Sequence, residues 1–502
     1  MKTTENGDDE RTPLQYTSDY FEGIKDNIAA LRKFFTAMPK GGDVHNHLTG
    51  SAYAETYFEL AVKHGMYVDM ETGKLYKEKP EKPETIQLSK EMDDLHNHRM
   101  TLIDKWSIRN FQPYKYPLGP DEYFFGTFGL LSALTSVPDY NDDFSRYNLA
   151  YLMHDLKVRA SRENVQYLEV IGIAPVIPKY CFLDEDTYNN YDSILKENVK
   201  NGNYVKLTAT LKEIIELFEE SEEAQKNAAD YLKFVQRLED KSNTFKTHML
   251  YIEKIKCRYQ GYAVRGLEPL MVFAQLYVVH KACLKDNEGK LLTGCNIVAA
   301  ENGEKAMMYY KLHMYMFHVL HEKCDPVNVS LHAGELTLGL VRPEHLTYHV
   351  GRAVSTAIRR IGHGVCLPFE RDSDRIFRGM RSLHIAMEIN LTSNEFILGV
   401  KGTEHPIRLY HEAGIPVIIS TDDPGILRTS LTEQYVLAAS RYGFTYEEIK
   451  TFVYNSIKYS FLPKAEITDM TNTLKGLFKD FESTFEKKVS PPAEADSEEN
   501  ES

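Results

Sequence analysis

The chain has 502 residues, and 42% of them are hydrophobic, enough for a sizeable core in one large domain or in two or three ordinary ones. Its formal charge of −14 argues against a nucleic-acid backbone or an anionic membrane as a partner and fits a neutral or small substrate. The longest apolar runs are far too short to cross a bilayer.

The N-terminal stretch MKTTENGDDERTPLQ is charged and has no apolar region of the kind that a secretory signal carries. The six cysteines are scattered without CxxC spacing, which indicates free thiols in a reducing compartment. We therefore expect a cytoplasmic location by default. A secreted or periplasmic location is an alternative if a signal peptide has been trimmed away.

The pattern along the chain divides it into three parts. Residues 1–37 form a lead segment, in which 18–37 carry the apolar spacing of a helix. Residues 38–484 alternate short β-branched or apolar runs with helical stretches, as in one large domain. Residues 485–502 contain the acidic stretch PPAEADSEENES, which has no aromatic side chain, so we expect a disordered tail.

Eight short runs between the helical stretches are predicted strands. Their alternation with helices favours an α/β fold with a parallel sheet, and eight of them indicate a closed (β/α)8 TIM-type barrel. A doubly wound sheet with extra strands is the alternative. Helical insertions are expected after strands 1 and 2, at about 70–145 and 178–246. The predicted strands are DVHNHL (43–48), VQYLEVIGI (165–173), THMLYIEKI (247–255), YAVRGL (262–267), NVSLHAGE (328–335), RIGHGV (360–365), IAMEINLTSN (385–394) and IPVIISTDD (415–423).

The first predicted strand contains the tripeptide His-Asn-His. Side chains at positions i and i+2 of a strand point the same way, so His45 and His47 would face the barrel interior together and grip one metal ion. The same tripeptide recurs with His96 and His98, but in a stretch whose spacing is helical. Those two side chains would diverge by about 200°, since a helix has roughly 3.6 residues per turn. We therefore expect no metal site there.

Further ligand-type side chains stand at the ends of other predicted strands. His332 and Glu335 end the fifth, His363 lies in the sixth, and Asp422 and Asp423 end the eighth. In a barrel, the carboxyl ends of the strands meet at one mouth, where reactive groups collect. Three histidines and a carboxylate are a suitable set for one zinc ion that keeps a position for water.

Five sequence stretches surround these residues: MPKGGDVHNHLTGS, SLHAGE, RIGHGV, EINLTSN and ISTDDPG. In order and spacing they resemble the signature stretches of the adenosine deaminase family, part of the metal-dependent hydrolase superfamily. The resemblance extends over about residues 38 to 465. The longer inserts and DKWSIRNFQP (104–113) are most similar to the adenosine deaminase-related growth factor branch.

The resemblance implies a role for each matching position. His45, His47, His332 and Asp422 would bind one zinc ion per chain, and Asp422 would also orient the attacking water. Glu335 would be the proton donor. These expectations follow from the family's motifs, onto which the residues map one by one.

The same resemblance implies the substrate contacts. His363 would lie beside the attacking water and take its proton, Asp423 would reach the purine ring, and Gly266 in VRGLEP would contact the base through its backbone. His47 would also lie against the substrate. Thr49 stands where many members have an aspartate that holds the ribose, so a hydroxyl without charge would contact the sugar.

The implied activity is zinc-dependent hydrolytic deamination of adenosine, and of 2′-deoxyadenosine, to inosine or deoxyinosine and ammonia. Zinc lowers the pKa of water to about 7, and protonation of the purine by Glu335 lets the ring accept attack at C6. The partner would be a small purine nucleoside, with no nucleic acid or membrane, and the oligomeric state is left undetermined. The alternatives are a deaminase of adenine, a modified nucleoside or AMP, a secreted growth-factor-like signalling protein of the same fold, and a barrel hydrolase with two metal ions.

Overall fold

The main sheet is a closed parallel barrel, seen in a computed structural model that describes residues 11–245, 255–286 and 291–486. Its eight strands are neighbours in chain order. The last strand returns to the first, because Asp422 N donates to His45 O and His47 N donates to Asp422 O, both at 2.9 Å. The predicted (β/α)8 barrel is therefore confirmed. The strands are β1 (Gly42–His47), β2 (Tyr167–Ile171), β3 (Lys256–Val264), β4 (Leu292–Val298), β5 (Asn328–Ala333), β6 (Arg360–His363), β7 (Ala386–Ile389) and β8 (Val417–Ile419).

The third and fourth strands differ from the sequence prediction. The predicted strand over 247–255 lies outside the described residues except for its last position, and the one over 262–267 is the end of β3. The true fourth strand, β4, was not predicted. Its sequence LTGCNIV is buried along its whole length, but threonine, glycine and asparagine interrupt the apolar run by which buried strands are recognised.

The lead segment forms two helices instead of the single helix predicted over 18–37. α1 (Pro13–Ile24) begins after a capping box on Thr12, and α2 (Ile28–Ala37) begins after Asn27, whose side chain caps its first turn. Asparagine is among the most favoured N-cap residues, so the chain starts a new helix there. The C-terminal acidic tail predicted over 485–502 lies outside the described residues from position 487 onward.

Long connections follow β1 and β2, where the insertions were expected. The first contains five helices and a small antiparallel sheet of three strands, and the second contains three helices. The helices are α3 (Leu48–Ser51), α4 (Ala54–Lys63), α5 (Leu95–Lys105), α6 (Pro120–Thr135), α7 (Asp143–Arg162), α8 (Glu185–Lys200), α9 (Tyr204–Glu220) and α10 (Glu222–Ser242), and the short strands are Tyr67–Asp69, Leu75–Tyr76 and Thr85–Gln87.

The second half of the barrel has shorter connections, most of them with one helix. Among the described residues, no helix combines the length and apolarity that a membrane crossing requires. The remaining helices are α11 (Pro269–Lys285), α12 (Glu304–Lys323), α13 (His349–Val354), α14 (Ser373–Leu383), α15 (Leu391–Leu398), α16 (Ile407–Glu412), α17 (Leu431–Ser440), α18 (Tyr446–Lys458) and α19 (Lys464–Glu486).

Candidate metal centre and active site

Three imidazoles and one carboxylate converge at the mouth of the barrel. His45 and His47 come from β1, His332 from β5, and Asp422 from the segment after β8. One ligand atom from each lies within 4.8 Å of the others. The alternation of side chains along β1 therefore does what the sequence predicts, and the barrel brings the distant ligands to the same place.

The donor set of this cluster fits a zinc ion. Asp422 Oδ1 lies 3.2 Å from His47 Nε2 and 3.4 Å from His45 Nε2, and the Nε2 atoms of His47 and His332 are 3.0 Å apart. His45 Nε2 is buried and has no hydrogen-bond partner among the described residues. Imidazole nitrogen and carboxylate oxygen are ligand types that zinc prefers, and a water added to these four side chains would make the site five-coordinate.

The outer nitrogens of two histidines are held by polar side chains in the barrel interior. His45 Nδ1 lies 2.6 Å from Glu388 Oε2, and His332 Nδ1 lies 3.0 Å from Asn296 Oδ1. Both partners are acceptors, so both Nδ1 atoms carry the proton. Each Nε2 lone pair therefore faces the ligand cluster, as in metal sites where an outer hydrogen bond fixes the tautomer.

Sequence reasoning missed both of these partners. Glu388 is a charged residue in the middle of the buried strand AMEI, and that is a signal the sequence does offer. Asn296 lies in β4, a strand that the sequence pattern does not predict, so the sequence did not indicate that Asn296 lies in the barrel interior.

Glu335 lies beside the cluster, at the point where the chain leaves β5. Its carboxyl Oε1 is 3.5 Å from His363 Nδ1, and Glu335, His363 and Asp422 form a second group of converging side chains. Burial raises the pKa of Glu335 well above its usual value, and the negative charges of Asp422 and Glu301 add to the effect. The raised pKa favours the protonated form of this carboxyl group, the form that has a proton to donate.

The pKa values of the two aspartates after β8 are shifted in opposite directions. Burial opposes ionisation of Asp422, but the neighbouring imidazoles of His45 and His47 hold its pKa well below the usual range. Burial and the charge of Asp422 raise the pKa of Asp423 well above its usual value. The surroundings therefore favour the charged form of Asp422, which suits a metal ligand, and the protonated form of Asp423, which can donate a hydrogen bond.

A chain of hydrogen bonds fixes the proton of His363. Ile407 N donates to His405 Nδ1 at 3.1 Å, so His405 Nε2 carries a proton and donates to Asn394 Oδ1 at 3.0 Å. The amide nitrogen of Asn394 then donates to His363 Nδ1 at 3.0 Å. Burial lowers the pKa of His363 to about 4. The neutral ring carries its proton on Nε2, which lies 3.9 Å from Asp422 Oδ2.

Two of the site residues have a strained backbone. His363 has φ +69° and Asp422 has φ +65°. A residue with a side chain in this left-handed region costs roughly 1–2 kcal/mol, and such strain concentrates at functional sites. The left-handed backbone turns both side chains toward the mouth of the barrel. An extended backbone at these positions would point them elsewhere.

The substrate-contact residues are only partly brought together. Thr49 and Asp423 line the same cavity as the ligand cluster. Gly50 leaves the space for Asp423, because a Cβ there would lie 1.5 Å from Asp423 Oδ1. Gly266 is exposed and does not line the cavity, whereas its neighbour Leu267 does. The expected base contact of Gly266 stays a prediction.

The cavity above the cluster has a volume of about 820 Å³ and is mostly apolar. Phenylalanines of α6 and the stretch after β2 form much of its wall. None of the described residues that line it is lysine or arginine. Besides the site residues, its main contributors are Phe124, Phe125, Phe128, Ile173, Ile177, Tyr262 and Met271.

Comparison with known proteins finds deaminases similar to part of the chain. Residues 275–476 match the family model described as "Adenosine deaminase". Over 142 residues the chain is 31% identical to an adenosine deaminase from Enterococcus faecalis, a match that covers 28% of this chain and 39% of that protein. Over 112 residues it is 36% identical to an N6-methyl-AMP deaminase from Danio rerio, covering 21% and 31% of the two chains. The chain thus spans well under half the length of these two relatives.

Solved structures share the fold over most of the chain. An amidohydrolase from Burkhoderia ambifaria with bound Zn superposes with a TM-score of 0.56 at 16% sequence identity. The match covers 91% of this chain and 94% of the other. At this level of identity the likeness establishes the barrel architecture.

Proposed function

Because residues 275–476 match the adenosine deaminase family model, we propose that the chain hydrolytically deaminates adenosine and 2′-deoxyadenosine, releasing ammonia and inosine or deoxyinosine. One observation carries the proposal. Glu335, whose pKa is raised by burial, lies beside a cluster of three histidines and an aspartate, at the bottom of a cavity whose described lining has no lysine or arginine. This is the chemistry needed to protonate a purine and attack it with water.

We assign zinc binding to His45, His47, His332 and Asp422. When bound, zinc supplies a Lewis acid that lowers the pKa of water to about 7. The unpartnered Nε2 of His45 and the outer hydrogen bonds of His45 and His332 support this assignment. A chelator should remove one zinc ion per chain from the protein, because the four ligand side chains are sufficient for one ion.

The proposed proton movements use groups whose protonation the site already favours. Glu335 donates its proton to purine N1, which makes C6 electron-poor and open to attack. Asp423, also neutral, donates a hydrogen bond to N7 and fixes the angle of the ring. His363 is expected to donate its Nε2 proton in a hydrogen bond to the attacking oxygen. The hydrogen bond from Asn394 supports this role instead of the expected one as proton acceptor. Once it has given its proton to N1, the Glu335 carboxylate therefore accepts the two protons of the water in turn, passes one to the leaving amino group and keeps the other.

The lining of the cavity supports a nucleoside over a nucleotide. A phosphate requires basic side chains or backbone N–H groups, and no described lining residue is lysine or arginine. The volume of about 820 Å³ has room for a ribose beside the base, which a pocket built for free adenine would not need. Thr49 is the proposed sugar contact. The complete set of acid and ligand residues supports an enzyme over a signalling protein with an inactive site.

The experiment is a substrate panel read by ammonia release, with adenosine, 2′-deoxyadenosine, adenine, AMP and N6-methyl-AMP. We expect adenosine and 2′-deoxyadenosine to react and AMP to be poor. Glu335→Gln should lower kcat by about 10²–10⁴-fold, the usual contribution of a positioned acid, and keep its zinc. Full activity of Glu335→Gln would remove the proton-donor role, and faster turnover of AMP than of adenosine would overturn the proposed substrate.

A further inference from the structure

A continuous chain of polar side chains crosses the barrel interior beneath the ligand cluster. Seven of the eight strands contribute one member each, and all of the members are buried. A buried polar group is stable only where it is hydrogen-bonded, so a network of this size requires every member to be satisfied. The members are His45, Glu169, Gln260, Asn296, His332, Arg360 and Glu388.

One branch of the chain descends from His332. Its Nδ1 lies 3.0 Å from Asn296 Oδ1, Asn296 Nδ2 donates to Gln260 Oε1 at 3.0 Å, and Gln260 Nε2 donates to Glu169 Oε1 at 2.9 Å. Every donor in this branch points away from the ligand cluster and toward Glu169. The direction is therefore uniform from the histidine to the carboxylate.

The other branch descends from His45. Its Nδ1 donates to Glu388 Oε2 at 2.6 Å, and Ser330 donates to Glu388 Oε1 at 2.9 Å. Arg360 joins the two branches, because its guanidinium donates to both Glu388 and Glu169. The two metal-ligand histidines are thus connected through the floor of the barrel as well as through the cluster itself.

Glu169 is the group that sets the direction of the first branch. It accepts hydrogen bonds from Gln260 and Arg360, from Tyr167 Oη at 2.7 Å and from Phe461 N at 2.8 Å. All four partners are donors, so this carboxylate acts only as an acceptor. A side-chain amide can bond in either orientation, and only an acceptor below Gln260 forces its nitrogen downward.

We propose that Glu169 is a positioning residue for the metal centre and acts through Gln260 and Asn296. It orients Gln260 and, together with Ile297 N, which donates to Asn296 Oδ1 at 2.8 Å, it holds Asn296 so that His332 carries its proton on Nδ1, which leaves the Nε2 lone pair for the metal. Glu169 itself lies outside the ligand cluster. The inference rests on the metal centre that the proposed function assigns.

The test replaces Glu169 with a side chain that can donate. In Glu169→Gln the new amide donates to Gln260, so Gln260 turns over and its amide nitrogen faces that of Asn296. Asn296 then turns over as well, with loss of the hydrogen bond from Ile297 N, and the proton of His332 shifts toward Nε2. Nitrogen-15 spectra of the histidines in the metal-free protein should show this change of tautomer. Competition with a chromophoric chelator should show zinc binding weakened by about 10–100-fold, the usual effect of losing an outer partner.

The matched control is Glu239→Gln. Glu239 accepts hydrogen bonds from the buried Lys157 at 2.6 Å, in an ion pair between α7 and α10, and from Tyr259 Oη at 2.8 Å, and it is bonded to none of the seven network members. This variant loses a charge of the same kind elsewhere, so its stability should fall while its zinc affinity and histidine spectra stay as in wild type. Equal weakening of zinc binding in both variants would overturn the proposal, because it would reflect destabilisation alone.

A second variant serves if Glu169→Gln does not fold. Gln260→Met interrupts the branch but leaves the pair between Glu169 and Arg360 in place, and the same change of tautomer and affinity is expected. Wild-type spectra and affinity in a folded Glu169→Gln or Gln260→Met protein would overturn the inference alone. A wild-type protein that binds no zinc and releases no ammonia would overturn the proposed function instead.

Discussion

Two copies of the tripeptide His-Asn-His occur in this chain, in contrasting surroundings. His45 and His47 lie on β1 within a cluster of four ligand-type side chains, and His45 is fully buried. His96 and His98 lie in α5, where the first is exposed and the second half-buried. In the described part of the chain, neither of the α5 histidines joins a group of three or more metal-binding side chains.

The difference shows what makes a histidine pair a metal site. A strand places positions i and i+2 on one face, whereas a helix turns them about 200° apart at roughly 3.6 residues per turn. The strand pair also has partners supplied by other strands, with Glu388 behind His45 and His332 beside His47. The site therefore depends on the alternation of side chains along the strand and on the alignment of neighbouring strands in the barrel. The tripeptide alone does not create it.

The largest effect is expected from breaking the strand pair. His45→Ala removes a ligand, so zinc should be lost on dialysis and kcat/KM should fall at least about a thousandfold, since unassisted water has a pKa of 15.7 in place of about 7. Metal analysis and ammonia release on the same sample measure both. Retention of one zinc ion and normal turnover would show that His45 is not a ligand.

A smaller loss of zinc affinity is expected from a substitution that displaces His45 but does not remove it. A Cβ on Gly362 would lie 2.5 Å from His45 Cε1 and 2.9 Å from His45 Nδ1. Gly362→Ala should therefore displace the imidazole and weaken zinc binding by about 10–100-fold, as other disturbances of a ligand's support do. Chelator competition measures the change.

Gly379→Ala is the control for that variant. No atom lies within 4 Å of a Cβ built on Gly379, which is in α14. Alanine is preferred to glycine in a helix by about 1 kcal/mol, so this variant should be slightly more stable and bind zinc as wild type does. Equal zinc affinity in the two alanine variants would contradict the described position of His45.

The smallest effect is expected at the second tripeptide. The double variant His96→Ala, His98→Ala should keep zinc content and kcat/KM, and its free energy of unfolding should change by less than about 0.5 kcal/mol per site, as for ordinary surface substitutions. Denaturant unfolding and the ammonia assay measure this. A loss of zinc here would mean that the helical pair also binds metal, contrary to the comparison.

Much of the site could be predicted because its residues lie in short local motifs. His45, His332 and Asp422 each lie in or directly after a strand, and parallel strands in a barrel end at one mouth. The spacing of the runs predicted eight strands, although β4 was missed and a run outside the described residues was counted in its place.

The supporting residues could not be predicted from the same patterns. Glu169, Gln260 and Asn296 lie on three different strands, and only the register between those strands brings their side chains together. A polar residue inside an apolar run shows that it needs a partner but does not show which one. The exposed position of Gly266 likewise depends on where β3 ends, which a short motif does not determine.

The most direct test is a crystal of the zinc-loaded protein measured at the zinc absorption edge. We expect one anomalous peak per chain, about 2.0–2.2 Å from the Nε2 atoms of His45, His47 and His332 and from a carboxylate oxygen of Asp422. A second peak would indicate a two-metal site. No peak among these four side chains would contradict the account.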